Sequence, residues 1–243
     1  MISLAWLDPD NPQTFPAVES ALQEPAGLLA AGGDLSPERL IAAYQRGIFP
    51  WFSEDEPILW WSPDPRFVLY PDELKVSRSL SKNIRNDVYQ VTMDTAFEQV
   101  IAECSQLPRK NQAGTWITQE MQQAYIELHR RGHAHSVELW MDQQLVGGIY
   151  GIHSGHAFCG ESMFSKASNA SKIALFYLCQ FLQHHQFKLI DSQVYTEHLQ
   201  SLGARMIDRE SYIKTLQLAD PVKMPDNWSA SFEDYLGRFK IRP

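Results

Sequence analysis

Cysteine is scarce in this chain of 243 residues, which has only Cys104, Cys159 and Cys179. An odd, widely spaced set with no Cys-x-x-Cys pair excludes a disulfide framework. Reduced core thiols are expected, with no metal. Long apolar runs are missing too: no stretch approaches the ~18 residues that a membrane span needs. The start, Met1-Ile2-Ser3-Leu4-Ala5-Trp6-Leu7-Asp8-Pro9, lacks the basic flank and apolar length of a signal peptide. The expectation is a cytoplasmic protein without membrane contact. Basic charge is in deficit, 21 Lys and Arg against 29 Asp and Glu for a net charge of −8. That disfavours indiscriminate nucleic-acid binding, although a local patch can override the bulk. No internal repeat or low-complexity segment is present. What remains is ordinary globular material, 44% hydrophobic and 12% aromatic, enough for one large core or two modest ones.

Proline and glycine crowd residues 1–35, which read as a wrapped, mostly irregular arm. A helix follows, with Ser36 as N-cap, Pro37 in its first turn, Leu40, Ile41 and Tyr44 on its apolar face, and Gly47 as its stop. Phe49, Trp51, Phe52, Trp60 and Trp61 then fall in a proline-punctuated loop. They form either a core seam or a stacking surface for a planar ligand. Residues 77–86 read as a helix with Arg78, Lys82 and Arg85 along one side and Val76, Leu80 and Ile84 on the other. A solvated positive face is the ordinary reading of such a stripe; beside an aromatic loop it is also a candidate phosphate contact. A strand over 88–93 leads to a helix capped by Asp94 and ending near Glu103, and Thr118 caps another that Gly132 terminates.

From Ser136 the pattern turns sheet-rich. Residues 136–141 and 144–152 form a hairpin about Asp142-Gln143, and 156–161 a third strand. A loop over 162–169, a helix over 170–185, a strand ending at Asp191, a short helix over 196–202, a strand over 204–207 and a helix over 209–216 follow. The order predicts an α+β fold with a mixed sheet. The expected divisions are 1–65 (arm, helix and aromatic loop), 66–134 (the rest of a smaller N-terminal domain), 135–218 (the catalytic core) and a draped tail over 219–243.

Chemistry is sought where carboxylates end apolar strands, since a buried charge there is either paired or at work. Glu161 follows His156-Ala157-Phe158-Cys159-Gly160, and Asp191 follows Phe187-Lys188-Leu189-Ile190. Period-2 alternation places Gln193 on the face of Asp191. An ion pair or a cap is the plain alternative for each acid.

Several strings together resemble the bacterial leucyl/phenylalanyl-tRNA–protein transferases: Gly27-Leu28-Leu29-Ala30, Gly32-Gly33-Asp34-Leu35-Ser36-Pro37, Gly47-Ile48-Phe49-Pro50-Trp51-Phe52, Leu59-Trp60-Trp61-Ser62-Pro63-Asp64-Pro65-Arg66, Thr115-Trp116-Ile117-Thr118, Gly132-His133-Ala134-His135-Ser136-Val137-Glu138, Gly160-Glu161-Ser162-Met163-Phe164 and Ser201-Leu202-Gly203-Ala204. They span roughly residues 15–215 in one order, which makes the match highly specific. The resemblance implies a GNAT-like acyltransferase core behind a smaller α/β N-terminal domain. It also implies transfer of Leu or Phe from aminoacyl-tRNA to the N-terminal Arg or Lys of proteins, the N-degron route, by a monomer without a cofactor.

Residue by residue, the resemblance assigns Asp191 and Gln193 to the incoming amine and Glu161 to the cationic acceptor. Ile149, Phe158, Met163, Leu178 and Ile190 match the donor side-chain pocket. Phe49, Trp51 and Trp116 match the terminal-adenosine site, and Lys75, Arg78, Lys82 and Arg85 the tRNA-backbone contact. Two other readings stay open, a coenzyme A-dependent N-acyltransferase on the same core and a non-catalytic tRNA-binding module. The first would normally carry a glycine-rich pyrophosphate loop before its long helix. Here that junction, Ser165-Lys166-Ala167-Ser168-Asn169-Ala170-Ser171, has no glycine.

Overall fold

Two sheets organise the chain in a computed structural model that describes residues 4–86, 88–106, 117–220, 222 and 224–238. The first sheet takes β1 (Ala5–Leu7) in parallel with β2 (Leu28–Gly32), then, after helix α1 (Pro37–Tyr44), β3 (Phe49–Pro50) and β4 (Leu59–Trp61), in the order β1-β2-β4-β3. From Arg66 onward the elements are β5 (Arg66–Leu69), α2 (Arg78–Arg85), β6 (Gln90–Met93), α3 (Phe97–Ser105), α4 (Gln119–Arg130), β7 (Ala134–Met141), β8 (Gln144–Ser154) and β9 (Ala157–Ser165). They continue with α5 (Ala170–His184), β10 (Leu189–Asp191), α6 (Glu197–Ser201), β11 (Arg205–Ile207), α7 (Arg209–Leu216) and α8 (Trp228–Arg238). The second sheet runs β11-β5-β10-β9-β8-β7-β6, parallel where β9 meets β10 and antiparallel elsewhere. The α+β class and the mixed sheet are therefore as the sequence predicts. The edge strands β6 and β11, and β5 next to β11, come from both sides of the hairpin region, so the sheet draws on residues well before 135.

Local chemistry explains the element ends. Ser36, Ser77 and Thr118 each accept a hydrogen bond from a backbone N–H three residues on, at 3.4, 3.2 and 3.2 Å, which satisfies an orphan donor of α1, α2 and α4. Asp142 and Gln143 both hold positive φ, 49° and 62°, the mirror-image turn whose twist suits a two-residue hairpin. Leu80 and Ile84 bury the apolar side of α2, leaving Arg78, Lys82 and Arg85 exposed.

Five expectations are corrected. The arm is not mostly irregular: β2 is buried along its whole length, and the wholly buried Arg39 ties it down by donating to Asp34 Oδ1 and to the Asp8 carbonyl. The aromatic loop contributes β3 and β4, because Phe49 and Trp60 are core residues of the first sheet. Asp94 caps nothing; Ala96 precedes α3, while the Asp94 carboxylate accepts from the Ser136 backbone N–H at 2.8 Å and lies 2.7 Å from His135 Nδ1. β9 runs on through Ser165, so Glu161 is a mid-strand residue. The tail forms α8, whose Trp228, Phe232 and Tyr235 recur at helical spacing and are buried, Trp228 stacking on His135 with ring centroids 3.6 Å apart.

Trp228→Ala should lower unfolding free energy by about 3 kcal/mol, the usual cost of emptying an aromatic core site. Urea denaturation of the two proteins measures it.

Candidate active site

A cavity of about 300 Å³ opens where the two sheets meet, with Phe49 and Trp51 on one side and Ile149, Met163, Leu175 and Ile190 on the other. Its polar end is formed by Glu161, Ser162, Ser192 and Gln193. Two clefts elsewhere are larger, about 410 Å³ beside Glu54 and Glu120 and about 460 Å³ beside the histidines, but their walls are more polar than those of this cavity. An apolar cavity with a few convergent polar groups is the form that ligand sites usually take.

Glu161 reaches this wall through a β-bulge. Tyr150 pairs with Ser162 and Gly151 with Gly160, so Glu161 faces no partner residue and its side chain is re-aimed. Gly151 is obligatory there, since a Cβ would lie 2.2 Å from the Cys159 carbonyl oxygen. Gly160 only leaves room: a Cβ would make ordinary contact with Ile190 at 3.5 Å. The Tyr44 hydroxyl donates to Glu161 Oε1 at 2.8 Å, Tyr125 to Oε2 at 3.3 Å, and the two hydroxyls lie 2.5 Å apart. Gln193 Nε2 donates to Oε1 at 3.2 Å. Loss of hydration raises the Glu161 carboxyl from an ordinary 4.5 to about 8, against the smaller opposing effect of the tyrosine hydroxyls. Burial, and then the Glu161 charge, push the Tyr44 and Tyr125 hydroxyls well up, so both stay protonated donors.

Asp191 lies behind the wall and does not line the cavity. Its carboxylate takes both nitrogens of a bidentate Arg66 guanidinium, Nε at 2.8 Å and Nη2 at 2.6 Å, with both side chains wholly buried. The Tyr212 hydroxyl and the Gln193 backbone N–H complete the shell at 2.8 and 2.9 Å. The residues expected to meet the amine therefore separate: Gln193 faces the cavity, and Asp191 supports it from below. Arg66, Tyr44, Tyr125 and Tyr212 are contacts that sequence reasoning missed. An arginine closing the proline-punctuated string Ser62-Pro63-Asp64-Pro65-Arg66 was the available signal for Arg66, and nothing local marked the tyrosines.

Of the expected donor pocket, Ile149, Met163 and Ile190 line the cavity and Phe158 and Leu178 do not. Phe158 is buried toward Trp228, their ring centroids 6.3 Å apart, and on α5 Leu175, one turn earlier than Leu178, takes the wall position. Phe49 and Trp51 stand at the opposite wall; Trp51 is half-buried, and its carbonyl accepts from the Trp61 indole at 2.7 Å. Trp116 lies outside the described residues. Lys75, Arg78, Lys82 and Arg85 are exposed, and among the described residues none makes a side-chain ion pair.

The three cysteines are buried, and burial pushes the Cys159 thiol well above its ordinary range. His129 and His133 carry a His-x-x-x-His spacing, but His129 Nδ1 lies 2.8 Å from the Ala134 carbonyl and its ring stacks on Phe97. Among the described residues no cluster of three His, Cys, Asp or Glu could hold a metal ion, and no helix is long and apolar enough to cross a membrane.

A mixed sheet with an apolar cleft, ended by a protonatable carboxyl and an amide and lined by no histidine, defines a transferase-type site suited to an acyl group that arrives already activated. The leucyl/phenylalanyl-tRNA protein transferase family matches residues 68–217, and its N-terminal domain matches residues 33–64. The chain belongs to that family. The leucyl/phenylalanyl-tRNA–protein transferase of Shewanella halifaxensis is 54% identical over 94% of this chain and 97% of its own. That of Pseudomonas fluorescens is 59% identical over 86% of this chain and 92% of its own, and that of Nitrosomonas eutropha 57% over 90% and 93%. Two solved structures overlap it loosely: L-PGS from Bacillus licheniformis (TM-score 0.36, 14% identity, 68% of this chain and 55% of that one) and a GCN5-related N-acetyltransferase from Kribbella flavida (TM-score 0.35, 10%, 70% and 60%).

The raised Glu161 carboxyl has a stability consequence. A folded-state value above the ordinary one means that the folded chain holds the proton more tightly. Its contribution is thus full below pH 4.5 and is lost as pH rises toward 8. Glu161→Gln should flatten that part of the profile of melting temperature against pH between 5 and 8.5; an identical slope in both proteins would show that Glu161 is not its source.

Proposed function

We propose that this protein carries Leu or Phe from aminoacyl-tRNA to the α-amine of proteins that begin with Arg or Lys, marking them for degradation by the N-degron route. The observation that carries the reading is the 3.2 Å bond between the Gln193 amide and Glu161 at the polar end of an apolar cavity. With its N–H committed to Glu161, the amide leaves Oε1 as the acceptor for an amine.

An aminoacyl ester is already activated, so the site must only place a neutral amine against the carbonyl carbon, hold the developing oxyanion and manage protons. Gln193 orients the amine, and Glu161, which among the described residues has no cation in contact, meets the positive end of the acceptor. The donor side chain enters between Ile149, Met163, Leu175 and Ile190, where the flexible thioether adapts to Leu or Phe. The terminal adenosine stacks on Trp51 beside Phe49, with Trp116 assigned to the same role by its motif. Lys75, Arg78, Lys82 and Arg85 hold the acceptor-stem backbone without reading bases. A coenzyme A-dependent reaction is less well supported, because at the start of α5 the Ala170 N–H donates to the Ala167 carbonyl and the Ser171 N–H to Ser165 Oγ. Those amides are engaged where a pyrophosphate would need them.

Incubation with radiolabelled Leu-tRNA should label an Arg-initiated peptide and not an Ala-initiated one; tRNA binding without label transfer would leave only a binding module. Gln193→Ala should cut the transfer rate about 100-fold, in the range of a lost positioning contact, with the melting temperature unchanged. Trp51→Ala should weaken donor binding by ~1–3 kcal/mol in a filter-binding titration if a base stacks there. In the same assay affinity should fall steeply with salt, and Arg78→Ala should reduce the log–log slope by roughly one.

A further inference from the structure

We propose that Arg66 is a positioning residue for the transfer, acting through Asp191 on the backbone of Gln193; this rests on the functional reading above and extends it to a residue behind the wall. The acceptor places of Asp191 are filled, Oδ1 by Arg66 Nε and the Gln193 N–H, Oδ2 by Arg66 Nη2 and the Tyr212 hydroxyl. Among the described residues no hydrogen bond joins the Asp191 carboxylate to the Gln193 side-chain amide. Its influence on that amide therefore passes through the main chain.

The main chain there needs holding. Gln193 has φ of 57°, the left-handed region that a residue with a side chain seldom occupies. A carboxylate accepting from the N–H two residues on stabilises such a turn. This turn sends the Gln193 side chain into the cavity instead of continuing β10. The carboxylate is in turn fixed by a guanidinium held between the rings of Phe49 and Tyr212, 4.8 and 4.6 Å from their centroids. The guanidinium's remaining nitrogen, Nη1, donates to the Gly47 carbonyl at 3.1 Å, two residues before Phe49. One planar cation thus joins the strand carrying the donor wall to the turn carrying the acceptor amide. Lysine, a point charge without the fork, cannot make these bonds together.

The test is a cycle of single-turnover rates for Leu transfer from charged tRNA to an Arg-initiated peptide, with the full chain at saturating donor and acceptor. Arg66→Lys should slow transfer tenfold or more, and Tyr212→Phe, which removes one bond to Asp191 and keeps the ring, severalfold. In a Gln193→Ala background neither should cost more than twofold, because the amide they position is gone. Equal fold-losses in both backgrounds would mark a merely structural role and overturn the proposal. So would a wild-type rate for Arg66→Lys, or for Gln193→Ala itself. If Arg66→Lys fails to fold, Tyr212→Phe decides alone, and a wild-type rate for it counts against the proposal. A wild-type protein that transfers nothing would fail the functional reading instead, so the two failures are distinguishable.

Discussion

The buried pair of Arg66 and Asp191 is the constraint on which the site depends. Both side chains are fully enclosed, and removing either partner would strand a charge in the core, at a typical cost of about 3–5 kcal/mol. The two residues sit on adjacent antiparallel strands, where Asp191 of β10 pairs with Val68 of β5. The pair therefore also locks the register of the strands that carry it. A well-packed apolar replacement could match its stability but could not satisfy the Gln193 N–H and the Gly47 carbonyl together. The charges are retained for direction, by that argument, more than for strength.

The two carboxylates of the site are set apart by their donors. Asp191 meets a guanidinium, a hydroxyl and a backbone N–H, a shell that suits an ionised group. Glu161 meets two tyrosine hydroxyls and an amide, with no cation in contact among the described residues, and loss of hydration holds its proton up to about 8. Environments that divide a pair of acids in this way commonly divide their roles as well. The fixed anion builds the turn, and the protonatable one faces the cavity. A carboxyl poised there can meet an arriving ammonium without a permanent counter-ion beside it to be displaced first.

Much of this was legible in the chain and some of it was not. The caps at Ser36 and Thr118, the hairpin at Asp142-Gln143 and the two faces of α2 follow from local rules, and the structure keeps them. Glu161 was found, but its position in mid-strand was hidden, because a bulge is a one-residue offset between strands that the sequence of one strand does not record. Phe158, which the resemblance assigns to the pocket, is buried in the same core cluster as Ile149, Leu175 and Ile190, but it lies deeper, toward Trp228, and does not reach the cavity. Arg66 was visible only as the last letter of a motif, since its partner lies 125 residues away. The pattern Trp228, Phe232, Tyr235 was helical all along, but the prolines before it suggested a loose tail, and only tertiary packing supplies the core that makes the helix worth forming.

An acidic protein that uses RNA must confine its positive charge. Here many cations are cancelled where they stand: Arg130 beside Glu98, Arg131 between Glu38 and Glu127, Lys166 beside Glu103, Arg205 beside Glu73, Lys214 beside Glu210 and Arg238 beside Asp234. The exposed face of α2 is different, because Arg78, Lys82 and Arg85 recur on it without a carboxylate partner among the described residues. Exposed pairs add little stability, but each removes a positive charge from the long-range field. Among the described residues Arg46, Lys172, Lys188 and Arg209 are also outside any salt bridge, but they are scattered along the chain, whereas α2 carries three unpaired cations on one short helix of a protein whose net charge is −8. Lys75 lies just before that helix, and its backbone N–H donates to the Leu202 carbonyl, immediately after α6. The stretch leading into α2 is thereby tied to α6, which supplies Leu199 to the cavity wall.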